Sequence, residues 1–175
     1  MVSHRFYGWP EASEQKKHWA LLSHISSLVD GPWCCVGDFN AILHQSEKQS
    51  RHPPQYKQME DFQATLDGCN LFDLGFQAYK FTWNNKRPGA ANTRDRLDRV
   101  VVNREWKDKF SASTLIHRFS HASDHAPLFL HIRTHHDFRG GGPRGFRFEE
   151  SWLSGMSVRR WLRIRGLIQV VRQLV

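Results

Sequence analysis

Apolar residues recur at helical spacing in two stretches of the chain, 13–29 and 55–69. The first stretch carries them at Trp19, Leu22, Ile25 and Val29, and the second carries them at Met59, Phe62 and Leu66. This three- and four-residue spacing predicts two amphipathic helices. Ser13 is a plausible N-cap for the first helix, and Asp30-Gly31-Pro32 ends it. A third, shorter helix is predicted over 103–109, capped by Asn103.

Short apolar runs lie between these helices and predict β-strands. The runs cover residues 33–39, 71–74, 80–83, 96–102, 114–118 and 127–133. Phe6-Tyr7-Gly8-Trp9-Pro10 is typical of the end of a strand or of a turn. Short strands that alternate with amphipathic helices indicate an α/β (α+β) domain built in layers, with a mixed sheet.

The pattern changes after residue 133. Residues 139–145 consist almost entirely of Gly, Arg and Pro, which is the composition of a flexible linker. Apolar residues then return at alternating three- and four-residue spacing, at Trp161, Ile164, Ile168, Val171 and Val175. We therefore expect a domain over 1–133, a linker over 134–152 and a helical tail over 153–175.

Composition and charge narrow the class of protein. With 175 residues and 39% hydrophobic residues, the chain can bury one real core, and wholesale disorder is excluded. The formal net charge is +8, of which +5 falls after residue 133, where eight Arg face three acids. A basic balance favours polyanionic partners, because binding releases their counterions.

The three cysteines, Cys34, Cys35 and Cys69, do not form the pattern of a disulfide framework or of a zinc site. They are expected to be small core residues in a reducing, intracellular compartment. The first residues lack the apolar core of a signal peptide, and no stretch is long enough to span a membrane. We therefore expect no membrane association. We also expect no small-molecule cofactor.

Three polar clusters border the predicted strands: Gly37-Asp38-Phe39-Asn40, Arg96-Leu97-Asp98-Arg99 and Ser123-Asp124-His125. Clusters at strand ends can converge on one edge of a sheet. Carboxylates, an amide and an imidazole at such an edge would suit metal-assisted attack on a phosphate ester.

Each cluster also has a plain structural alternative. Asp38 and Asn40 are two residues apart, so both can leave one strand face, but the same residues favour a β-turn. Asp98 lies in an apolar strand and needs a partner, which is either a histidine or a neighbouring arginine, Arg96 or Arg99. Ser-Asp sequences also cap turns, which is the alternative to a cation site at Asp124.

Taken together, the clusters resemble the endonuclease/exonuclease/phosphatase superfamily, which has the DNase-I-like fold. The residues of these motifs are most similar to those of the endonuclease domain of plant LINE-type (non-LTR) retrotransposons. The other motifs that carry this resemblance are Phe6-Tyr7-Gly8-Trp9-Pro10, Phe81-Thr82-Trp83-Asn84-Asn85, Asn103-Arg104-Glu105-Trp106 and Ser123-Asp124-His125-Ala126-Pro127. Phe146-Arg147-Phe148-Glu149 resembles the junction between such an endonuclease and a reverse transcriptase.

The resemblance implies a role for each matching position. The implied catalytic residues are Asp38 (orients the water), Asn40 (stabilises the phosphate), Tyr7 (contacts the phosphate), Asp98 (orients the histidine) and His125. Asp124 is the implied ligand of Mg²⁺ or Mn²⁺, and the implied DNA-binding residues are Trp83, Asn84, Lys86, Arg87 and Arg94. A solvated charged turn is the alternative for the loop that carries these last residues.

The resemblance also implies what this chain lacks. The family's principal metal-binding glutamate and an early asparagine have no counterpart here, so we expect only the C-terminal half of the domain, with about one mixed sheet. One sheet face would then be exposed, and metal binding would be weak or lost. The expected function is a partial, degenerate, metal-dependent DNA endonuclease. The alternatives are a non-catalytic nucleic-acid-binding module and a phosphatase of the same superfamily.

Overall fold

The computed structural model describes residues 1–120, 122–134 and 168–172. In this part of the chain the helices are α1 (Ala12–Leu28), α2 (Tyr56–Gly68) and α3 (Arg104–Lys109). The strands are β1 (Val2–Tyr7), β2 (Trp33–Asp38), β3 (Lys48–Gln49), β4 (Leu71–Asp73), β5 (Gln77–Ala78), β6 (Trp83–Asn84), β7 (Arg94–Asp95), β8 (Asp98–Asn103), β9 (Thr114–His117), β10 (Leu128–Ile132) and β11 (Ile168–Arg172).

The strands form two four-stranded sheets and one small three-stranded sheet. The central sheet has the order β1-β2-β8-β4, the second sheet has the order β11-β10-β9-β5, and the small sheet has the order β3-β7-β6. β1 runs parallel to β2, whereas β8 runs antiparallel to both β2 and β4. The layered α/β class expected from the sequence is confirmed, with mixed sheets and few helices.

Both faces of the central sheet are buried in the described residues, which explains why β2 and β8 are almost continuously apolar. On one face, Trp33, Cys35 and Val101 pack in a core with Trp19, Leu22 and Phe62 of α1 and α2. On the other face, Cys34, Val36, Val100 and Val102 pack in a second core with Leu115, Leu128 and Leu130 of the second sheet. The sequence led us to expect about one sheet with one exposed face, but β9 and β10 cover that face.

An aromatic stack fixes the end of β2 on its helical side. The rings of Phe6 and Phe39 stack with centroids 4.7 Å apart, and those of Trp19 and Phe62 stack at the same distance. Phe39 and Phe62 are fully buried. Because side chains alternate along a strand, Phe39 on the helical face sets the neighbouring Asp38 on the opposite face.

The predicted helices are present, but one cap was wrongly assigned. α1 begins at Ala12, so Glu11 and not Ser13 holds the N-cap position, with extended backbone and no side-chain cap. The backbone oxygen of Glu11 accepts the N–H groups of Glu14 and Gln15 at 3.0 and 3.2 Å. In α3 the predicted cap is confirmed, because the side chain of Asn103 accepts the backbone N–H of Trp106.

Two other predictions differ from the structure. The strand predicted over 80–83 is replaced by the short strands β5 and β6, with the chain turning between them. Residues 168–172 form β11, parallel to β10, and not a helix; this segment is rich in β-branched residues, which favour strands. The rest of the predicted tail, and the linker beyond Thr134, lie outside the described residues. No described helix combines the length and hydropathy that a membrane span requires.

Candidate active site

Asp38 and Asp98 face each other at one end of the central sheet. They are partners in the antiparallel register of β2 and β8, and both are buried. Each continues the strand face that carries Val36 and Val100, so both carboxylates lie at the edge of the core between the two large sheets. Like charges directly across a strand pair repel each other, so this arrangement requires a compensating group.

His125, just before β10, supplies that group. Its Nδ1 lies 2.8 Å from Oδ2 of Asp98, and its Nε2 lies 3.9 Å from Oδ2 of Asp38. Burial by itself lowers the pKa of His125, but the hydrogen bond and charge of Asp98, with the charges of Asp38 and Asp124, outweigh burial and raise the pKa. The carboxylate of Asp98 therefore favours a proton on Nδ1 and orients the ring.

The arginines on either side of Asp98 do not pair with it. Arg96 and Arg99 instead form ion pairs of 2.7 to 2.9 Å with Glu47 and Asp73. Arg99 is fully buried and also donates to the backbone oxygen of Ala41 at 3.2 Å. Of the two partners that the sequence left open for Asp98, the structure has the histidine.

Asn40 folds back onto Asp38. Its φ of 48° lies in the left-handed region, and its backbone N–H donates to Oδ1 of Asp38 at 2.9 Å. The amide nitrogen donates to Oδ2 of Asp38 at 3.1 Å and to the backbone oxygen of Gly8 at 2.7 Å. Both sequence interpretations hold in part, because the segment turns after Asp38 and the two side chains still lie together.

Close backbone packing brings Tyr7 to the same end of the sheet. Tyr7 is the register partner of Asp38 in β1, and it is partly exposed. A Cβ atom at Gly37 would lie 1.8 Å from the backbone oxygen of Phe6, and one at Gly8 would lie 2.2 Å from that of Phe39. Only glycine permits this approach, so both glycines position the site.

Asp124 lies beside His125 but outside its hydrogen-bonded cluster. It is exposed, and one of its carboxylate oxygens accepts the indole N–H of Trp83 at 3.3 Å. Trp83 forms an isolated antiparallel bridge with His125. A concave pocket of about 310 Å³ opens here, with Tyr79, Phe81, Trp83 and Phe119 among its lining residues.

The loop after β6 is held by its own asparagines. Asn84 accepts the backbone N–H of Lys86 and the amide of Asn92, both at 2.8 Å. Asn92 in turn accepts Nε–H of Arg94 at 2.9 Å. Lys86 and Arg87 are exposed, whereas Arg94 and Trp83 are half-buried. The loop is therefore ordered by internal hydrogen bonds and presents its cations at the surface.

Sequence reasoning missed two groups that position these side chains. The hydroxyl of Thr82 accepts the backbone N–H groups of Leu97 and Asp98, at 2.9 and 2.8 Å, and so fixes the start of β8. Glu47 is the acid at the centre of the arginine network. Arg96 and Arg99 lie at the start of an apolar strand, where a buried charge needs a partner. That position was the signal that acids elsewhere in the chain contact them.

The residues present fit a divalent cation in two ways. Ligand atoms of Asp38, Asp98 and His125 all lie within 4.8 Å of one another. The exposed carboxylate of Asp124 offers an oxygen of the kind that Mg²⁺ binds together with waters and substrate phosphates. Because the Nδ1 position of His125 is already taken by Asp98, we regard Asp124 as the better ligand for a hard cation.

Comparison with known proteins shows the family and the fold of this chain. The model of the Endonuclease/Exonuclease/phosphatase family matches residues 1–125, and the chain belongs to this family. The family is generally dependent on divalent metals. A search of curated proteins finds no match.

Two solved structures share the fold. One is the endonuclease domain of TRAS1, a telomere-specific non-LTR retrotransposon, with 16% identity, a TM-score of 0.51, and coverage of 70% of this chain and 52% of that one. The other is the 3′-5′ exonuclease NExo from Neisseria meningitidis, with 18% identity, a TM-score of 0.52, and coverage of 70% and 57%. This chain thus spans about half the length of the structures it resembles.

Proposed function

We propose that this chain carries the aspartate–histidine part of a divalent-metal-dependent site that hydrolyses phosphodiester bonds in DNA. The observation that carries the proposal is the buried hydrogen bond of 2.8 Å between His125 and Asp98, with Asp38 facing both. A histidine whose pKa is raised by neighbouring acids is suited to meet a phosphate oxygen as its negative charge grows.

Each residue has a distinct part in the proposed reaction. Asp38 accepts a proton from the attacking water, and the water oxygen bonds to phosphorus. The leaving oxygen departs with the electrons of its bond to phosphorus and takes a proton from solvent water. His125 offers its Nε2–H to the phosphate, and Asp98 holds that ring in place. A cation at Asp124 would neutralise charge on the phosphate when bound.

Asn40 and Tyr7 are proposed to act around this centre. Both N–H donors of the Asn40 amide are already used, by Asp38 and Gly8, so Asn40 first of all orients Asp38. A phosphate oxygen would compete with Asp38 for one of these donors. Tyr7 is exposed at the same strand end and can contact the phosphate from outside.

The surroundings favour DNA over a hydroxyl-rich substrate. The pocket next to His125 has several aromatic walls, which suit a nucleobase or deoxyribose better than an inositol ring. Trp83, Asn84, Lys86, Arg87 and Arg94 are proposed to lie along the DNA backbone. The resemblance of the sequence motifs to LINE-type endonucleases supports a retrotransposon origin.

The proposal is tested by plasmid nicking with Mg²⁺ or Mn²⁺ and protein in excess over DNA. We expect nicking that requires the added metal ion. His125→Ala and Asp38→Ala should abolish it, whereas the exposed control residues His24→Ala and Asp108→Ala should not.

Three results would contradict the proposal. Nicking that survives both substitutions would place the chemistry elsewhere. No nicking at all, with salt-dependent DNA binding that Asp38→Ala leaves unchanged, would favour the non-catalytic binding module. Release of phosphate from inositol phosphates, lost in His125→Ala, would favour the phosphatase.

A further inference from the structure

A cleft lined by arginines adjoins the pocket beside His125 and shares Asn92 with it. It encloses about 520 Å³, and its polar lining residues are Gln49, Ser50, Arg51, Arg87, Asn92 and Arg94. No carboxylate is among its lining residues. Arg51 did not stand out in the sequence, because it is separated from the loop arginines by more than thirty positions along the chain.

The cleft is built by the small sheet. Gln49 of β3 is the register partner of Arg94 in β7, and the hydroxyls of Ser50 and Thr93 lie 3.3 Å apart. Arg94 donates Nε–H to Asn92, which leaves the terminal nitrogens of its guanidinium as further donors. The backbone of the cleft is thus held before any ligand arrives.

The charge of the cleft is uncompensated within the described residues. Arg51, Arg87 and Arg94 form no ion pair there, whereas the buried Arg96 and Arg99 are each paired with two acids. Arginine guanidinium groups bind phosphate oxygens through two parallel hydrogen bonds. Three such groups around one concave surface therefore favour a phosphate.

The small sheet also fixes where this phosphate lies. Trp83 on β6 is bridged to His125, β7 is the next strand, and β3 follows it. Neighbouring strands are about 4.8 Å apart, so β3 lies roughly 10 Å from β6 across the sheet. A phosphate in the cleft is therefore close enough to His125 to belong to the same stretch of DNA backbone as the scissile phosphate.

We infer that Arg51, Arg87 and Arg94 form a second phosphate-binding site that holds the DNA backbone at a phosphate other than the scissile one. The inference rests on the proposed function for its ligand, since it takes the phosphate to be part of the same DNA strand. It can be tested separately from the reaction, because none of the residues proposed to carry out the chemistry lines the cleft.

The test measures DNA binding in EDTA, where no hydrolysis occurs, by fluorescence anisotropy at several salt concentrations. Arg51→Ala and Arg87→Ala should each reduce the slope of log K against log salt by about 0.9, the value for one lost phosphate contact in duplex DNA. Arg51→Lys should keep most of the slope. Arg104→Ala is the matched control, because it removes an equal charge from exposed α3.

A second experiment locates the phosphate. Single uncharged methylphosphonates are placed in turn along the strand, on both sides of the mapped nick. One position away from the nick should weaken binding by wild type several-fold and binding by Arg51→Ala hardly at all. If nicking fails, the same scan on a fixed-end oligonucleotide should still find one such position.

Three outcomes would overturn the inference. Arg51→Ala could have the same salt slope as Arg104→Ala, or the methylphosphonate scan could show no position that depends on Arg51. Inorganic phosphate alone could also occupy the cleft as tightly as DNA does, which would make it a site for a free anion. Failure of the proposed function would look different. Nicking would then not depend on His125, whereas Arg51→Ala would still have a smaller salt slope than wild type.

Discussion

Removal of the Glu47 carboxylate should destabilise the fold and loosen the candidate active site. Glu47 is buried, and it bonds Arg96 at 2.7 Å, Arg99 at 2.9 Å and the backbone N–H of Leu43 at 2.7 Å. In Glu47→Ala, Arg96 and Arg99 would share only Asp73, and a buried N–H would lose its acceptor. Breaking a buried ion pair from one side costs about 3–5 kcal/mol.

This loss is large against the total stability of a domain, which is about 5–15 kcal/mol. It should be measured by urea denaturation at neutral pH, as a lower midpoint with an unchanged slope. Glu60→Ala is the control, because Glu60 is exposed and its contact with Lys57 is long, at 4.0 Å. We expect that control to stay within about 0.5 kcal/mol of wild type.

The pH dependence gives an independent measure of the same network. Burial by itself raises the pKa of Glu47 and of Asp73, but Arg99 and Arg96 outweigh burial and lower both pKa values. A lowered carboxyl pKa stabilises the fold above the unfolded value, near 4.5 for Glu47, and this stability is lost as the pH falls through the folded value. Glu47→Gln should therefore lose less stability on acidification than wild type.

Glu47→Ala should also loosen the backbone around the candidate active site. Arg99 reaches the backbone oxygens of Ala41 and Arg96, which lie next to Asn40 and just before Asp98. Amide exchange around these residues should accelerate in Glu47→Ala. The reasoning would be refuted if Glu47→Ala unfolded within 1 kcal/mol of wild type, or if Glu60→Ala cost as much.

Three further predictions concern single contacts. Asp98→Asn should lower the pKa of His125, because it removes the negative charge beside the ring and leaves at most a neutral acceptor. The pKa is measured by NMR titration of the ring, and an unchanged titration would contradict the assigned pair. Gly37→Ala should destabilise the fold by several kcal/mol, since its Cβ would overlap the backbone oxygen of Phe6, and denaturation equal to that of Gly68→Ala, where no atom lies within 4 Å, would disprove it. Burial raises the pKa of the Cys34 thiol to about 12, so thiol reagents should label it only after unfolding, and rapid labelling of the native protein would contradict its burial.

The sequence predicts that Asp38, Asp98 and His125 lie together better than it predicts the pairing of the sheets around them. Asp38, Asp98 and His125 could be recognised because each follows or precedes an apolar strand, where a buried charged group needs a partner. The covering of the central sheet could not be foreseen, because single strands such as β9 show the face that is buried but not the partner that buries it. The acidic partners of Arg96 and Arg99 were equally hidden, since they come from distant turns of the chain.

Two strands of the small sheet, β6 and β7, show a similar limit. β6 and β7 are two residues long, so their composition carries almost no periodicity. What holds the loop between them is a set of asparagine amides, and their pairing depends on the folded backbone. For the same reason, Thr82 gave no signal as a residue that positions Asp98.

Because Asp38 and Asp98 face each other across β2 and β8, His125 is a counter-ion that stabilises the fold. Because the pKa of His125 is raised, its protonated form stabilises the native chain fully below about pH 6.5, and that support is lost as the pH rises through the folded value. A variant made to silence the chemistry will therefore also shift the folding equilibrium. Part of any loss of activity in a His125 variant would then come from a smaller folded fraction. A stability measurement on the same sample separates this part from the loss of chemistry.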